Sequence, residues 1–518
     1  MITIKFKWDL EQANLIYQED LDKLTPDRIM KFITHHFNFQ RPRLQILNNY
    51  YQGFNTAIFD NKKRRHEDGK ADYRASHSFA KYIADFQTSY SVGNPINIKL
   101  PVDNDERFDE ITQANDVDAL NYDLFLDMTR YGRAFEYIYR GTDDVEHIVR
   151  LDPLDTFIIY SLDVDPQPIM AVRYHQIEIV DDNEVSKINF VPETWTASEH
   201  FIYKPTPIDG VMNADSNETV VAFPVVEYWN NKFRLGDYEN VISLIDLYDA
   251  AESDTANYMT DLNEAMLVIK GDIDTLLDGS TLMQGVDPTD KDAMAKLAKD
   301  KLDILKEMKS ANLLLLKSGV TATGTQTNVD AGYIHKEYDV TGTEAYKKRL
   351  ASDIHKFSHT PDLTDENFAS NVSGIAMKYK LLGTVELAAT KRRLFERGLY
   401  TRYQIIATLE SKASSSMKND PNELVFTFKD NLPTDDIAQI QQIQSAGATL
   451  PQEYLYQFLP GVTDPSDITE MMQKQQEENE EYKLGGDSDE EESGGDDSGV
   501  RGQTVQKGRE QQSSTQNN

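Results

Sequence analysis

The chain has 518 residues, a formal net charge of −34 and no cysteine. Its length calls for roughly two to four domains, and the missing cysteines exclude disulfides, thiolate nucleophiles and Cys-ligated zinc. A surface this acidic repels nucleic-acid phosphate at long range, the reverse of a basic protein that wraps DNA.

The start, MITIKFKWDLEQ, carries charge throughout and lacks the apolar core of a signal peptide. No window approaches ~18 uninterrupted apolar residues, so no membrane span is expected and the chain reads as intracellular or assembled there. The first hundred residues read mainly as helices. In LTPDRIMKFITHHF the Thr-Pro-Asp start suits an N-cap followed by Pro in the first turn. FAKYIADFQTSYSVGNPINIKL runs from an amphipathic helix through a Gly-Asn-Pro turn into a short strand. From about 131 to 229, alternating runs such as YGRAFEYIYRG, TFIIYSLD and MAVRYHQIEI predict a largely antiparallel sheet.

Beyond Gly236 the pattern changes. Up to Ile269 there is no further Gly and no Pro, Lys or Arg, and apolar residues recur at helical intervals. One helix of about 30 residues, roughly 45 Å long, is expected. It carries Asp237, Glu239, Asp246, Asp249, Glu252, Asp254, Asp261 and Glu264 with no cation of its own. Residues 267–341 read as an inserted unit with strands at LVIKGD, NLLLLK and GYIHKEYDV around an Asp-capped helix. A second helix, TGTEAYKKRLASDIHKFSH, precedes an acidic stretch with Pro, PDLTDENFAS, and the small-residue hinge NVSGIAMKYK. Another helix of nearly 40 residues comes next, with Gly374 and Gly383 in its first turns, where a kink costs little. ELVFTFKDNLP reads as a strand, TDDIAQIQQIQSAG and PQEYLYQFLPG as two short helices, and the chain after about 475 as an acidic tail unable to fold alone.

Catalytic motifs are scarce. The only Gly-Lys, Gly69-Lys70, lacks the upstream glycine and the hydroxyl of a phosphate loop. His355 and His359, four apart with Asp362 three further on, form a weak metal candidate; the competing reading is histidines favoured by a helix C-terminus. Asp181-Asp182 and Asp435-Asp436 could hold Mg²⁺ for a nuclease, but read more simply as solvated faces or caps. The run KKRR at 62–65 is open to a phosphate contact or a solvated loop. Lys391, Arg392, Arg393 and Arg397 are open to DNA or to the carboxylates of a neighbouring subunit.

The order of these parts, with NYYQGFNTAI, YSVGNPI, YGRAFEYIYRGTDDVEHIVRLDPLDTFIIYS and PDLTDENFASNVSGIAMKYK as local matches, resembles the portal proteins of tailed bacteriophages over about residues 30–470. The branch it is similar to occurs in long-tailed phages of Gram-positive hosts. The resemblance implies an α+β, mostly helical fold with a wing at 1–232 joined by strand 424–430, a first stem helix at 233–266 and a clip at 267–341. It further implies a second stem helix at 342–358, a channel loop at 359–373, a long bent helix with its return strand at 374–433 and a crown at 434–474; the tail at 475–518 lies outside the shared pattern. It implies a ring of about twelve copies at one capsid vertex, passing double-stranded DNA without sequence specificity. Terminase, capsid or scaffolding protein and head-completion adaptors are the implied partners, with no membrane, catalysis or cofactor. The implied location is the virion, after assembly in the host cytoplasm.

In that reading the channel loop presents Asp362, Asp365, Glu366, Asn367, Asn371, Ser373 and Gly374. Ser373 caps the long helix, Gly374 frees the turn and Asn371 suits its backbone. Lys378, Lys380, Asp246, Asp249, Asp261 and Glu264 face the channel or a neighbouring subunit, an acidic wall giving a polyanion little to stick to. The alternatives are a head–tail adaptor or minor head protein, and an acid-cluster metal-dependent nuclease.

Overall fold

The computed structural model describes residues 15–60, 71–102, 105–180, 186–208, 210–262, 266–271, 291–310, 313–317, 330–334, 339–363, 381–413, 417–431, 471–472 and 474–475. The fold is α+β. The chain divides into two compact units, Met1–Asn431 and Leu432–Asn518. In the second, only residues 471–472 and 474–475 are described, and they are helical; the two short helices expected between 434 and 474 lie outside the described residues.

The first unit begins with strand β1 (Tyr17–Gln18) and helix α1 (Pro26–His35), which starts as its sequence dictates. Thr25 is extended, its hydroxyl accepts from the Arg28 amide, and Pro26 fills the first turn. A π-turn at His36–Gln40 leads into α2 (Arg41–Tyr51), then α3 (Thr56–Phe59) and α4 (Phe79–Val92). Strand β2 (Asn97–Lys99) and helices α5 (Glu106–Ala114) and α6 (Val117–Tyr131) lead to the β region.

That region forms two sheets instead of the single one expected. Strands β3 (Arg133–Arg140) and β4 (Glu146–Leu151) pair with the later β11 (Val225–Trp229) in the order β11-β3-β4, all antiparallel. The second sheet contains β5 (Thr156–Tyr160), β6 (Pro168–Val180), β7 (Ser186–Trp195), β8 (Glu199–Tyr203), β9 (Thr206–Pro207) and β10 (Ala214–Thr219). Its order is β1-β5-β6-β7-β8-β10, with β9 on β7, and only the β1–β5 pairing is parallel. The sheets split because strand residues on both sides of the seam are apolar: Phe135, Leu151 and Val225 from one pack on Ile158, Ala171 and Trp195 from the other.

Helix α7 (Ile242–Leu262) comes next, shorter than the sequence suggests because a 3-10 turn takes up Glu239–Val241. The inserted unit contains β12 (Met266–Gly271), α8 (Lys291–Ser310), β13 (Leu313–Lys317) and β14 (Asp330–Ile334) in the order β13-β12-β14. β12 and β13 are parallel, as a helical crossover between them requires. Helix α9 (Val340–Phe357) starts on an Asp339 cap that accepts from the Gly342 amide at 2.8 Å. Helix α10 is described as Leu382–Lys412, and β15 (Val425–Thr427) then pairs antiparallel with β2.

Two apolar clusters hold the long helices in place. Ile83 and Ala84 of α4, Leu44 and Leu47 of α2, Ile242 and Ile245 of α7 and Ile354 of α9 share one core. A larger one starts with Val92, Leu124, Phe125 and Ile138 and is completed only by Phe395, Leu399, Tyr403 and Phe426 from the far end of the chain. Gly398 allows that closure, since a Cβ there would sit 2.3 Å from the Tyr228 ring.

Candidate functional site

The sequence predicts that the acidic helix α7 presents its carboxylates outward. Its first half does the reverse. Asp246 and Asp249 are 2% and 0% exposed, so the reading of these two as lining a channel or meeting another subunit is corrected. Tyr50 donates to Asp246, while Asn55 Nδ2 donates to Asp249 Oδ2 at 2.7 Å. Burial pushes the Asp246 carboxyl up to about 6, partly offset by its hydrogen bonds.

The buried stripe continues as Ser253 and Asn257, and an extended segment lies against it. The amides of Tyr73, Ala75 and His77 donate to Asn257 Oδ1 (2.7 Å), Ser253 Oγ (2.9 Å) and Asp249 Oδ1 (3.0 Å). Every second residue of an extended chain advances about 6.6 Å and every fourth residue of a helix about 6 Å, so the two repeats stay in register. Asn257 also returns a bond to the Tyr73 carbonyl. His77 Nδ1 meets Asp249 at 2.8 Å, which raises the imidazole's affinity for a proton.

Asp237, Glu239 and Glu252 find cations on other elements. Lys391 of α10, buried and pushed down in pKa by that burial, pairs with buried Asp237. Arg43 pairs with Glu239, and Lys347 of α9 with Glu252 at 3.2 Å. The helix is one-signed in sequence because its counter-charges come from α2, α9 and α10. Asp261 lies in the last turn of α7 with its side chain outside the described residues, and so does Glu264 altogether.

The basic residues of α10 behave similarly. Arg392 meets Asp430 at 2.6 Å and donates to the Tyr90 carbonyl, while Arg397 is exposed over the Trp229 ring. Arg393 is exposed. Deeper, Arg402 and Glu136 are fully buried together, with Tyr228 and Asn121 completing the set. At the far end of α10, Arg107 and Arg140 both reach the buried carboxylates of Glu146 and Glu410.

The expected channel loop is anchored at a well-defined root. His359 stands just past the end of α9 with φ of 53°, a left-handed residue, and its carbonyl accepts from Gln87 Nε2 (3.2 Å) and Thr384 Oγ1 (2.6 Å). Tyr82 donates to the Pro361 carbonyl at 2.8 Å. The two sides of the loop therefore meet at the His359 carbonyl, where α10 joins through Thr384 and α4 through Gln87. Asp362 is half-buried here, 4.0 Å from His355 Nε2. Asp365, Glu366, Asn367, Asn371, Ser373, Gly374, Lys378 and Lys380 lie outside the described residues, so neither the helix cap nor the hinge is placed.

The His355–His359 metal pairing is corrected. The helix ends at Phe357, so His359 leaves the face that His355 occupies. His355 Nδ1 contacts the Thr360 carbonyl at 3.2 Å and its ring meets Phe79 and Tyr82 edge-on. Among the described residues no group of three His, Cys, Asp or Glu could hold a metal ion. A cleft of about 380 Å³ between β11 and α10 is lined by Ile158, Tyr160, Glu227, Trp229 and Arg397. Its one carboxylate, Glu227, is tied up by Arg234 and Tyr160. Among the described residues no helix is long and apolar enough to cross a membrane.

Residues 30–483 match the family described as "Phage portal protein, SPP1 Gp6-like". The chain belongs to the phage portal protein family. It is also similar to the portal protein of Bacillus phage SPP1, 19% identical over 481 residues that cover 88% of this chain and 85% of that one. A solved structure described as "Neck of empty GTA particle computed with C6 symmetry" aligns with a TM-score of 0.38 at 11% identity, covering 77% of this chain and 96% of that one. Portal proteins are structural components of the phage virion at the head–tail connection, so this chain is not an enzyme and the nuclease alternative falls.

Proposed function

We propose that this chain assembles into a closed ring of about twelve copies at one capsid vertex and forms the channel for double-stranded DNA. DNA enters through it during packaging and leaves through it during ejection. Terminase docks on the ring in the first phase, and head-completion adaptors in the second; capsid or scaffolding protein holds its rim. Assembly takes place in the host cytoplasm. The regions keep the roles expected from the sequence: wing at 1–232, stem helices at 233–266 and 342–358, clip at 267–341 and crown at 434–474.

The observation that carries this reading is the family match running from 30 to 483, from within α1 through every later described element. Helices finished on one face only support it. On α7, Leu247 and Met259 are 40% and 42% exposed opposite the buried stripe, and on α9 Tyr346 is 46% exposed. A head-to-tail ring gives each such face a neighbour.

With Asp246 and Asp249 buried, an acidic channel wall is left to Asp254, which is exposed, and to Asp261 and Glu264. The loop beyond Asp362 is the proposed channel element, held at its root by Gln87 and Thr384. Negative-stain images or native mass should show a ring of about a dozen chains with a central hole; a monomer under all conditions sinks the reading. Shortening residues 364–371 should block DNA packaging or retention while rings still form. Loss of the rings instead would make the segment a packing joint.

A further inference from the structure

The start of β3 carries a cation without a matching anion among the described residues. Arg133 is 5% exposed, and among those residues its Nε and Nη2 have no hydrogen-bond partner. The other buried arginines among the described residues each hold a carboxylate: Arg43 holds Glu239, Arg234 holds Glu227 and Arg402 holds Glu136. Glu227, the carboxylate that acts on Arg133, already accepts from Arg234 and from the Tyr160 hydroxyl. The other charges acting on Arg133 include Arg234 and Arg43. Three guanidinium groups thus share two carboxylates, Glu227 and Glu239, and the surplus charge is positive.

A second donor faces the same surplus. His36 has no accessible surface, its Nδ1 meets the Tyr174 hydroxyl at 2.7 Å, and its Nε2 is likewise without a partner among the described residues. Arg133 is among the charges that act on this ring. Nε and Nη2 are adjacent on one edge of the guanidinium plane. That edge is the one that takes two oxygens of a single oxyanion side by side. Buried polar groups are as a rule satisfied, and buried charges paired.

We propose that the open edge of Arg133, together with His36, binds a small inorganic oxyanion of the phosphate or sulfate class. The anion balances the surplus charge and ties the π-turn after α1 to the root of β3, beside the turn at Arg234 that leads into α7. Burial, joined by the charges of Arg234 and Arg43 and only partly offset by Glu227, pushes the Arg133 guanidinium down to about 10, which is the cost the anion relieves. The site draws on no feature of the channel or of the ring, so it stands or falls separately from the proposed function.

The test uses the full-length protein, exchanged into chloride buffer and melted at constant ionic strength with increasing inorganic phosphate. The native protein should gain several degrees in Tm, following the logarithm of phosphate, and Arg133→Met should gain none. If Arg133→Met does not fold, Arg133→Lys keeps the charge without the two-donor edge and replaces it in the comparison. A map of the assembled particle purified in phosphate should show tetrahedral density across the Nε–Nη2 edge. Equal responses of native and variant protein, or density for water alone at that edge, overturn the proposal.

Discussion

Glu146 and Glu410 have no accessible side-chain surface, and the same two arginines serve both. Burial, reinforced by the hydrogen bond and repulsion from Glu410, pushes the Glu146 carboxyl up to about 7. The folded state therefore binds a proton that the unfolded state releases near pH 4.5. Stability from this group is fully present below that pH and is lost as pH rises through about 7. Between pH 5 and pH 8 the loss should amount to about 1–3 kcal/mol. Glu146→Gln, which keeps a neutral side chain at every pH, should flatten that part of the Tm–pH profile relative to the native protein; an unchanged profile would show that Glu146 is ionised throughout. Asp127, Asp155 and Asp246, each pushed up to about 6 by burial, tilt the profile the same way in both proteins, so the difference isolates the Glu146–Glu410 pair.

At the scale of the element, α7 shows what the sequence makes legible and what it hides. Its existence and its long run without Gly or Pro are readable, and Thr25-Pro26 marks the start of α1 correctly, because both depend on neighbours a few residues away. The direction in which Asp246 and Asp249 point is not readable, because their partners Tyr50, Asn55 and His77 stand some 170 to 200 positions earlier. A signal is present: Asp249, Ser253 and Asn257 are small polar residues at a spacing of four, a pattern that serves an extended neighbour as well as it serves water. Removing one rung tests this. Asn257→Leu strands the Tyr73 amide and carbonyl, and should destabilise the subunit by about 1–3 kcal/mol. The same change should speed hydrogen exchange at Tyr73 and Ala75 while exchange in β6 stays as it was. Exchange unchanged at Tyr73 would mean that the segment is held by packing alone.

At the scale of the whole molecule, the four apolar clusters found among the described residues lie before Asn431, in the first of the two units. A chain ending at Asn431 should keep the far-UV and near-UV dichroism of its sheets and melt cooperatively; a broad, non-cooperative transition would show that the second unit is needed for the first to fold. The antiparallel β region, the strand at 425–427 and the family membership are within reach of the sequence. The seam that splits the β region in two is not, because alternation along one strand does not say which strand it will face. The loop residues past Leu363 remain an expectation drawn from the family.

The pairing of β15 with β2 sets a clock on the making of each copy. Leu124, Phe125 and Ile138 have left the ribosome long before Phe395, Leu399 and Phe426 are added to their core. At about 5–20 residues per second, the interval is on the order of 15–60 s. Throughout it the nascent chain carries an uncovered apolar face and a bare strand edge at Asn97–Lys99, targets for a chaperone or for another nascent chain. A copy broken off before its last strand keeps that face open for good. Quality control is thus written into the order of synthesis: only a chain translated through Thr427 can close its own core.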